Sequence, residues 1–155
     1  MMQGKVVAVC VSPTKGGRKK DVGQGTLVAG FGLEGDGHGG DWHRQISLLA
    51  KESIAKMQAK GLDVGAGDFA ENLTTEGIDL CGLPVGTQLQ VGESALLEIS
   101  QIGKICHTRC QIYYQAGDCV MPKEGIFAKV VKGGPVARGD RVIVLMLETE
   151  RKEAP

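Results

Sequence analysis

Aromatic residues are scarce in this chain, at 4% of its 155 positions, and charge of either sign is not in excess. Lysine and arginine together number 18, as do aspartate and glutamate, so the net charge is zero. A general nucleic-acid binder carries a basic bias and, for single strands, a set of stacking aromatics; neither is present. No apolar run approaches the ~20 residues a membrane-spanning helix needs. The first residues, Met1-Met-Gln-Gly-Lys-Val-Val, lack the charged, apolar and small-residue regions of an export signal. With five cysteines, an odd number, and no such signal, reduced thiols in a cytoplasmic protein are expected. The length fits one domain, expected over residues 1–148, with a charged tail over 149–155.

Glycine is abundant instead, at 24 residues spread without a repeat. Many tight turns between short strands account for that distribution. Strand-like segments are read at Lys5–Ser12, Thr26–Phe31, Gln45–Leu49, Ala70–Glu76, Thr87–Val91, Ala95–Gln101, Ile126–Val131 and Arg141–Leu147. Leu48, Leu49, Ile54 and Met57 recur at helical spacing, and Gly61 supplies a stop, so a helix is expected within Ser47–Lys60. A second short helix could occupy His107–Ala116. The interval Gly32–Gly40 holds five glycines and is expected to be irregular, and Gly133-Gly-Pro reads as turn punctuation. The fold class that follows is mainly β, a β-barrel-like domain with one or two short helices.

Chemistry concentrates in Gly103-Lys-Ile-Cys-His-Thr-Arg-Cys110. Thiols react as thiolates, and Lys104, His107 and Arg109 supply positive charge that lowers a neighbouring thiol's pKa. On a helix Cys106 and Cys110 would share a face. Such a sulfur could accept a persulfide or ligate a soft metal. A zinc site from Cys106, His107, Cys110 and Cys119 is a third use, weakened by having a single knuckle-like pair. Cys10 and Cys81 sit among apolar neighbours and read as core fillers.

Two further clusters stand out. Gly32-Leu-Glu-Gly-Asp-Gly-His-Gly-Gly-Asp-Trp-His43 places Asp36, His38, Asp41 and His43 on one loop, suited to a metal, to an anion, or only to local backbone bonding. Lys15, Arg18, Lys19 and Lys20 form a basic loop that could meet a phosphate, although such runs are usually solvated faces. Gly67-Asp-Phe-Ala-Glu-Asn-Leu73 is a polar insert in which spacing alone assigns no role to Glu71 or Asn72.

In order along the chain, Gly35-Asp-Gly-His-Gly-Gly-Asp-Trp-His43, Gly67-Asp-Phe-Ala-Glu-Asn-Leu73 and Ser100-Gln-Ile-Gly-Lys-Ile-Cys106 resemble the landmarks of MOSC domains, named for the C-terminal domain of molybdenum cofactor sulfurases. The resemblance runs from about Val6 to Val144 and implies a β-barrel-like fold. It places the family's cysteine on Cys106, preceded by Ile105 where many relatives have proline. It implies a domain that binds the molybdenum cofactor and carries persulfide sulfur on Cys106 for cofactor maturation or delivery. Cys110 and Cys119 are not general features of the family and leave a second sulfur or metal role open; Cys110, beside His107, would resolve the persulfide. Lys104 and Arg109 would stabilise the thiolate. Asp36, His38, Glu71 and Asn72 would position the pterin, and Lys15 and Arg18 would meet its phosphate. A cysteine desulfurase would donate sulfur, so pyridoxal phosphate would belong to that partner, and a molybdoenzyme or cofactor-assembly protein would accept it. The alternative implied is a molybdenum-dependent reductase of N-hydroxylated compounds with Cys106 as metal ligand.

Overall fold

The computed structural model describes residues 3–14, 18–103 and 125–145. Eleven strands and one α-helix occur among them: β1 (Gln3–Val11), β2 (Lys20–Asp21), β3 (Gln24–Val28), β4 (Gly32–Leu33), β5 (Ile46–Ala50), α1 (Lys51–Gln58), β6 (Leu73–Glu76), β7 (Gln88–Val91), β8 (Ala95–Ile102), β9 (Ile126–Lys132), β10 (Gly134–Ala137) and β11 (Arg141–Val144). The large sheet runs β11-β7-β8-β9-β5-β6-β1-β2, and β11 also pairs with β1. Seven strands therefore close into a mixed barrel. Its one parallel contact, β5 with β6, is bridged by α1, the kind of crossover that parallel neighbours require.

Alternation in the sequence becomes the inside and outside of this barrel. Along β8 the buried positions are Ala95, Leu97 and Ile99, and along β7 they are Leu89 and Val91. They meet Val6, Leu48, Leu73, Ile126 and Val142 in the main core. Strand β5 departs from alternation because all five residues are buried. Ile46 and Leu48 belong to the barrel interior, whereas Leu49 joins Ile54, Met57, Val64, Phe69 and Phe127 in a second core.

The expected helix starts later than its periodicity suggests. Leu48 and Leu49 pair in register with Leu73 and Thr74 of β6, and Ile46–Leu48 pair with β9, so ladder hydrogen bonds claim them first. The helix keeps Ser53, Ile54 and Met57 as its buried face and ends before Gly61, whose φ of 90° suits only glycine without strain.

Two glycine-rich stretches expected to be irregular contain strand. Gly32–Leu33 pairs with β3, as does Gly134–Ala137, giving a small sheet ordered β10-β3-β4. Pro135 is tolerated there because β10 is an edge strand. Gly32 is required by space: at φ 129° an added Cβ would overlap the Gln45 carbonyl oxygen. Strand β11 ends at Val144, short of the expected Leu147, whose surroundings lie outside the described residues.

Candidate functional site

At the ends of β1 and β6, three chain segments meet around a buried polar knot. Asp36, from the loop after β4, accepts hydrogen bonds at Oδ1 from Lys19 Nζ at 2.8 Å and from the Ser12 N–H at 3.1 Å. Its Oδ2 accepts the His38 N–H at 3.2 Å. The Lys19 and Asp36 side chains are 1% and 0% exposed. Lys19 was expected on a solvated basic face; it is instead the internal counter-ion of the glycine loop. Burial on its own would raise the Asp36 pKa, but the bonds from Lys19, Ser12 and Asn72 outweigh it and hold the carboxyl below its usual range.

Glu71 and Asn72 lie beside this pair, both wholly buried. Asn72 Oδ1 accepts the Ser47 N–H at 3.0 Å, and its amide donates to the Cys10 carbonyl at 3.2 Å. It thereby ties β5 to β1 across the mouth of β6. Glu71 Oε2 accepts from the Gly67 N–H at 2.9 Å and from Thr74 Oγ1 at 2.7 Å, while Oε1 has no partner among the described residues. Burial pushes the Glu71 pKa up against the pull of those two bonds. Gly67 must come this close: its φ is 87°, and a Cβ would overlap the Lys19 carbonyl oxygen and touch Cys10 Sγ at 3.3 Å.

Cys10 is buried among these groups, and burial, reinforced by Glu71 and Asp21, pushes its thiol up to about 12. It is an un-ionised core thiol, as its apolar setting suggested. Cys81 departs from that expectation: it is exposed on a short 3₁₀ turn, with Sγ 3.3 Å from Asp79 Oδ1.

The second half of the site is an aromatic and cationic plate. The glycine loop turns His38 against Trp42, with ring centroids 4.9 Å apart, and stacks it on Phe127 of β9 at 6.0 Å. Trp42 Nε1 donates to the His38 carbonyl, and the His43 ring meets Trp42 edge-on at 5.8 Å. Arg44, a residue that sequence reading passed over, lays its guanidinium over Trp42 at 4.5 Å and Phe127 at 5.4 Å. This plate is anchored to the end of β8: Ser100 Oγ donates to the His43 carbonyl, and His43 Nε2 bonds Gln101 Oε1 at 2.9 Å. Gln101 in turn donates to the Gly103 carbonyl, and the Gly103 N–H bonds the Gly125 carbonyl.

Of the residues singled out from sequence, Asp36, His38, Glu71 and Asn72 converge here. Arg18 does not enter the knot; it is half exposed and sits 3.9 Å from Asp68. Lys15, Lys104, Cys106, His107, Arg109, Cys110 and Cys119 lie outside the described residues. Lys19 stood out only as one cation of the basic run, and Arg44 directly follows the glycine motif, so nothing in the sequence set either apart from a solvated surface charge.

A closed mixed barrel with a glycine-loop site at the strand ends defines the class of protein. A family model of the MOSC domain matches residues 34–143, and the chain belongs to that family, which is associated with the molybdenum cofactor. Among solved structures it is similar to the YuaD protein of Bacillus subtilis at 20% identity and TM-score 0.76, covering 91% of this chain and 94% of that one. It is similar to YiiM from Geobacillus stearothermophilus at 19% identity and TM-score 0.69, covering 92% and 75%, and to YiiM from Escherichia coli at 22% and 0.66, covering 94% and 71%. At these identities the solved structures establish the fold alone. No curated protein sequence matches the chain. No helix among the described residues is long and apolar enough to cross a membrane.

Proposed function

We propose that this domain binds the molybdenum cofactor and carries sulfur on Cys106 as a persulfide, in the cytoplasm. The observation that carries the reading is the tie between the site plate and the strand that leads to this cysteine. His43 is bonded to Ser100 and Gln101 at the end of β8. Three peptide units separate Gly103 from Cys106, which limits the distance between their Cα atoms to about 11 Å.

The described residues suit a flat, anionic cofactor. His38 and Arg44 lie against Trp42 and Phe127, and the plate combines aromatic surface with positive charge. Asp36 binds Lys19 and the Ser12 and His38 N–H groups, Asn72 binds Ser47 and Cys10, and Glu71 binds Gly67 and Thr74 through Oε2, so their part is to hold the loop that presents His38. Cys106 would supply the sulfur ligand, and Lys15 and Arg18 would approach from the basic loop. When bound, the cofactor supplies a molybdenum centre that accepts sulfur.

The protein's own chemistry is a sulfur exchange that needs no added oxidant. The Cys106 thiolate attacks the terminal sulfur of a donor persulfide; a new S–S bond forms on Cys106 as the donor's S–S bond breaks, and the donor leaves as thiolate. Lys104, His107 and Arg109 would favour the attacking thiolate. Cys110 could then displace the terminal sulfur as hydrosulfide by forming a disulfide with Cys106. A cysteine desulfurase is the donor expected, holding its own pyridoxal phosphate, and a molybdoenzyme or assembly protein is the acceptor.

Incubation with a desulfurase and cysteine, followed by intact-mass and peptide analysis, should find one added sulfur on Cys106 and none in Cys106→Ser. An unmodified Cys106 beside labelled Cys81 would count against the proposal. If Cys106 stays unmodified while protein from a cofactor-competent host retains molybdenum, the metal-ligand role in a reductase becomes the better reading.

A further inference from the structure

We propose that Arg44 is an oxyanion-binding residue of this site, held against two aromatic rings with a donor that has no acceptor among the described residues. The proposal rests on the reading that the plate at the end of β8 is the working face, and adds to it the residue that recognises an anionic group there.

The Arg44 guanidinium carbon lies 4.5 and 5.4 Å from the Trp42 and Phe127 ring centroids, a cation–π contact with each. A guanidinium carries five N–H donors in a planar fork, and such a contact offers them no acceptor atom. Arg44 Nε is buried without a hydrogen-bond partner. No carboxylate among the described residues forms an ion pair with the group: Asp36 is held by Lys19, Asp21 by Arg138 and Asp68 faces Arg18. A structural arginine in a fold usually has a carboxylate or several carbonyls along its edge, because an unmatched charge that is partly removed from water is costly. Here two aromatic rings hold the guanidinium, and no ion pair or side-chain hydrogen bond engages its fork among those residues.

Two imidazoles flank the guanidinium. His38 packs on both rings that Arg44 touches, and His43 meets Trp42 on its edge. Asp41, the acidic side chain nearest in sequence, is exposed. A planar fork flanked by imidazoles takes a carboxylate or a phosphate through two parallel N–H···O bonds. The group recognised is thus an oxyanion, either the phosphate monoester of a cofactor or the carboxylate of a substrate.

Trp42 is the only tryptophan of the chain and lies directly under the guanidinium, so its emission reports on this one site. The full-length protein would be titrated at constant ionic strength with inorganic phosphate, methyl phosphate and acetate. A saturable change in Trp42 emission is expected, weakened on the order of tenfold or more in Arg44→Lys and lost in Arg44→Gln. Saturation by methyl phosphate and not acetate identifies the phosphate source; the reverse identifies a carboxylate. Absence of saturation with all three anions overturns the proposal, as does an Arg44→Lys protein that binds as tightly as the wild type. Arg44→Lys preserves the charge, so it keeps the test decisive if Arg44→Gln does not fold. The titration needs neither molybdenum nor a sulfur donor. Its failure is therefore distinct from a failure of sulfur transfer at Cys106.

Discussion

Lys19 and Asp36 are opposite charges withdrawn from water together, which makes each dependent on the other. The pair is stabilising only while complete, since either charge alone in that position keeps its desolvation cost and loses the attraction. Lys19→Met should therefore cost about 3–5 kcal/mol in urea unfolding. Adding Asp36→Asn should recover part of that loss, because the amide oxygen can still accept the Ser12 or His38 N–H while the stranded charge is gone. If the double variant is no more stable than Lys19→Met, the pairing argument fails. Acid acts on the same bond. The Asp36 pKa is lowered in the folded chain, so its contribution is complete above the ordinary aspartate value and is lost as pH falls through the folded one.

Glu71 has the opposite sign. Its folded pKa is raised, so the unfolded chain releases this proton at a lower pH than the folded one does. Its effect on stability is most favourable below the ordinary glutamate value of about 4.3. It declines as pH rises to the folded pKa and is constant beyond. Urea unfolding from about pH 4 to about pH 8 should show this decline in the wild type and a flatter profile in Glu71→Gln. Parallel profiles would mean that Glu71 ionises normally.

Among elements, the segment joining α1 to β6 has the least room for change. Gly67 is bonded to Lys19 through its carbonyl and to Glu71 through its N–H, so it passes between the two halves of the polar knot. Ala70 follows with φ 65°, a left-handed conformation that a side chain adopts at a cost of about 1–2 kcal/mol. Gly67→Ala should destabilise by more than about 1 kcal/mol, through both the positive φ and the overlap with the Lys19 carbonyl. Gly61→Ala shares the positive φ but has open space around it, so the excess of the first over the second measures the overlap. Equal losses by thermal melting would show that close approach contributes nothing.

On the scale of the whole molecule, closure of the barrel depends on β11. Gly4 faces Val142 in register, and Val142 also faces Val91 of β7, so one short strand seals both edges. Its buried Val142 joins the core from the last described strand. A chain ending at Asp140 would expose the unpaired edges of β1 and β7, which are templates for intermolecular pairing. Size-exclusion chromatography should show that protein as aggregate; a monomeric, folded product would mean that the other strands suffice.

The sequence by itself determined the strands of the barrel and the barrel class, because alternation as in Thr87–Val91 and Ala95–Gln101 follows from burying one face of a sheet. Asp36 and His38 stood out in the glycine-rich loop, whereas Glu71 and Asn72 became site candidates only through the resemblance to MOSC domains. The sequence placed Leu48 and Leu49 in both a strand and a helix, since helical and buried-strand patterns coincide over so short a run. It could not show that Lys19 is buried, that Gly134–Ala137 is a strand, or that Arg44 stands on Trp42 and Phe127. Those outcomes depend on which distant segments share a ladder or a buried charge, and only the closed barrel brings Lys19 to Asp36 and Phe127 beneath Arg44.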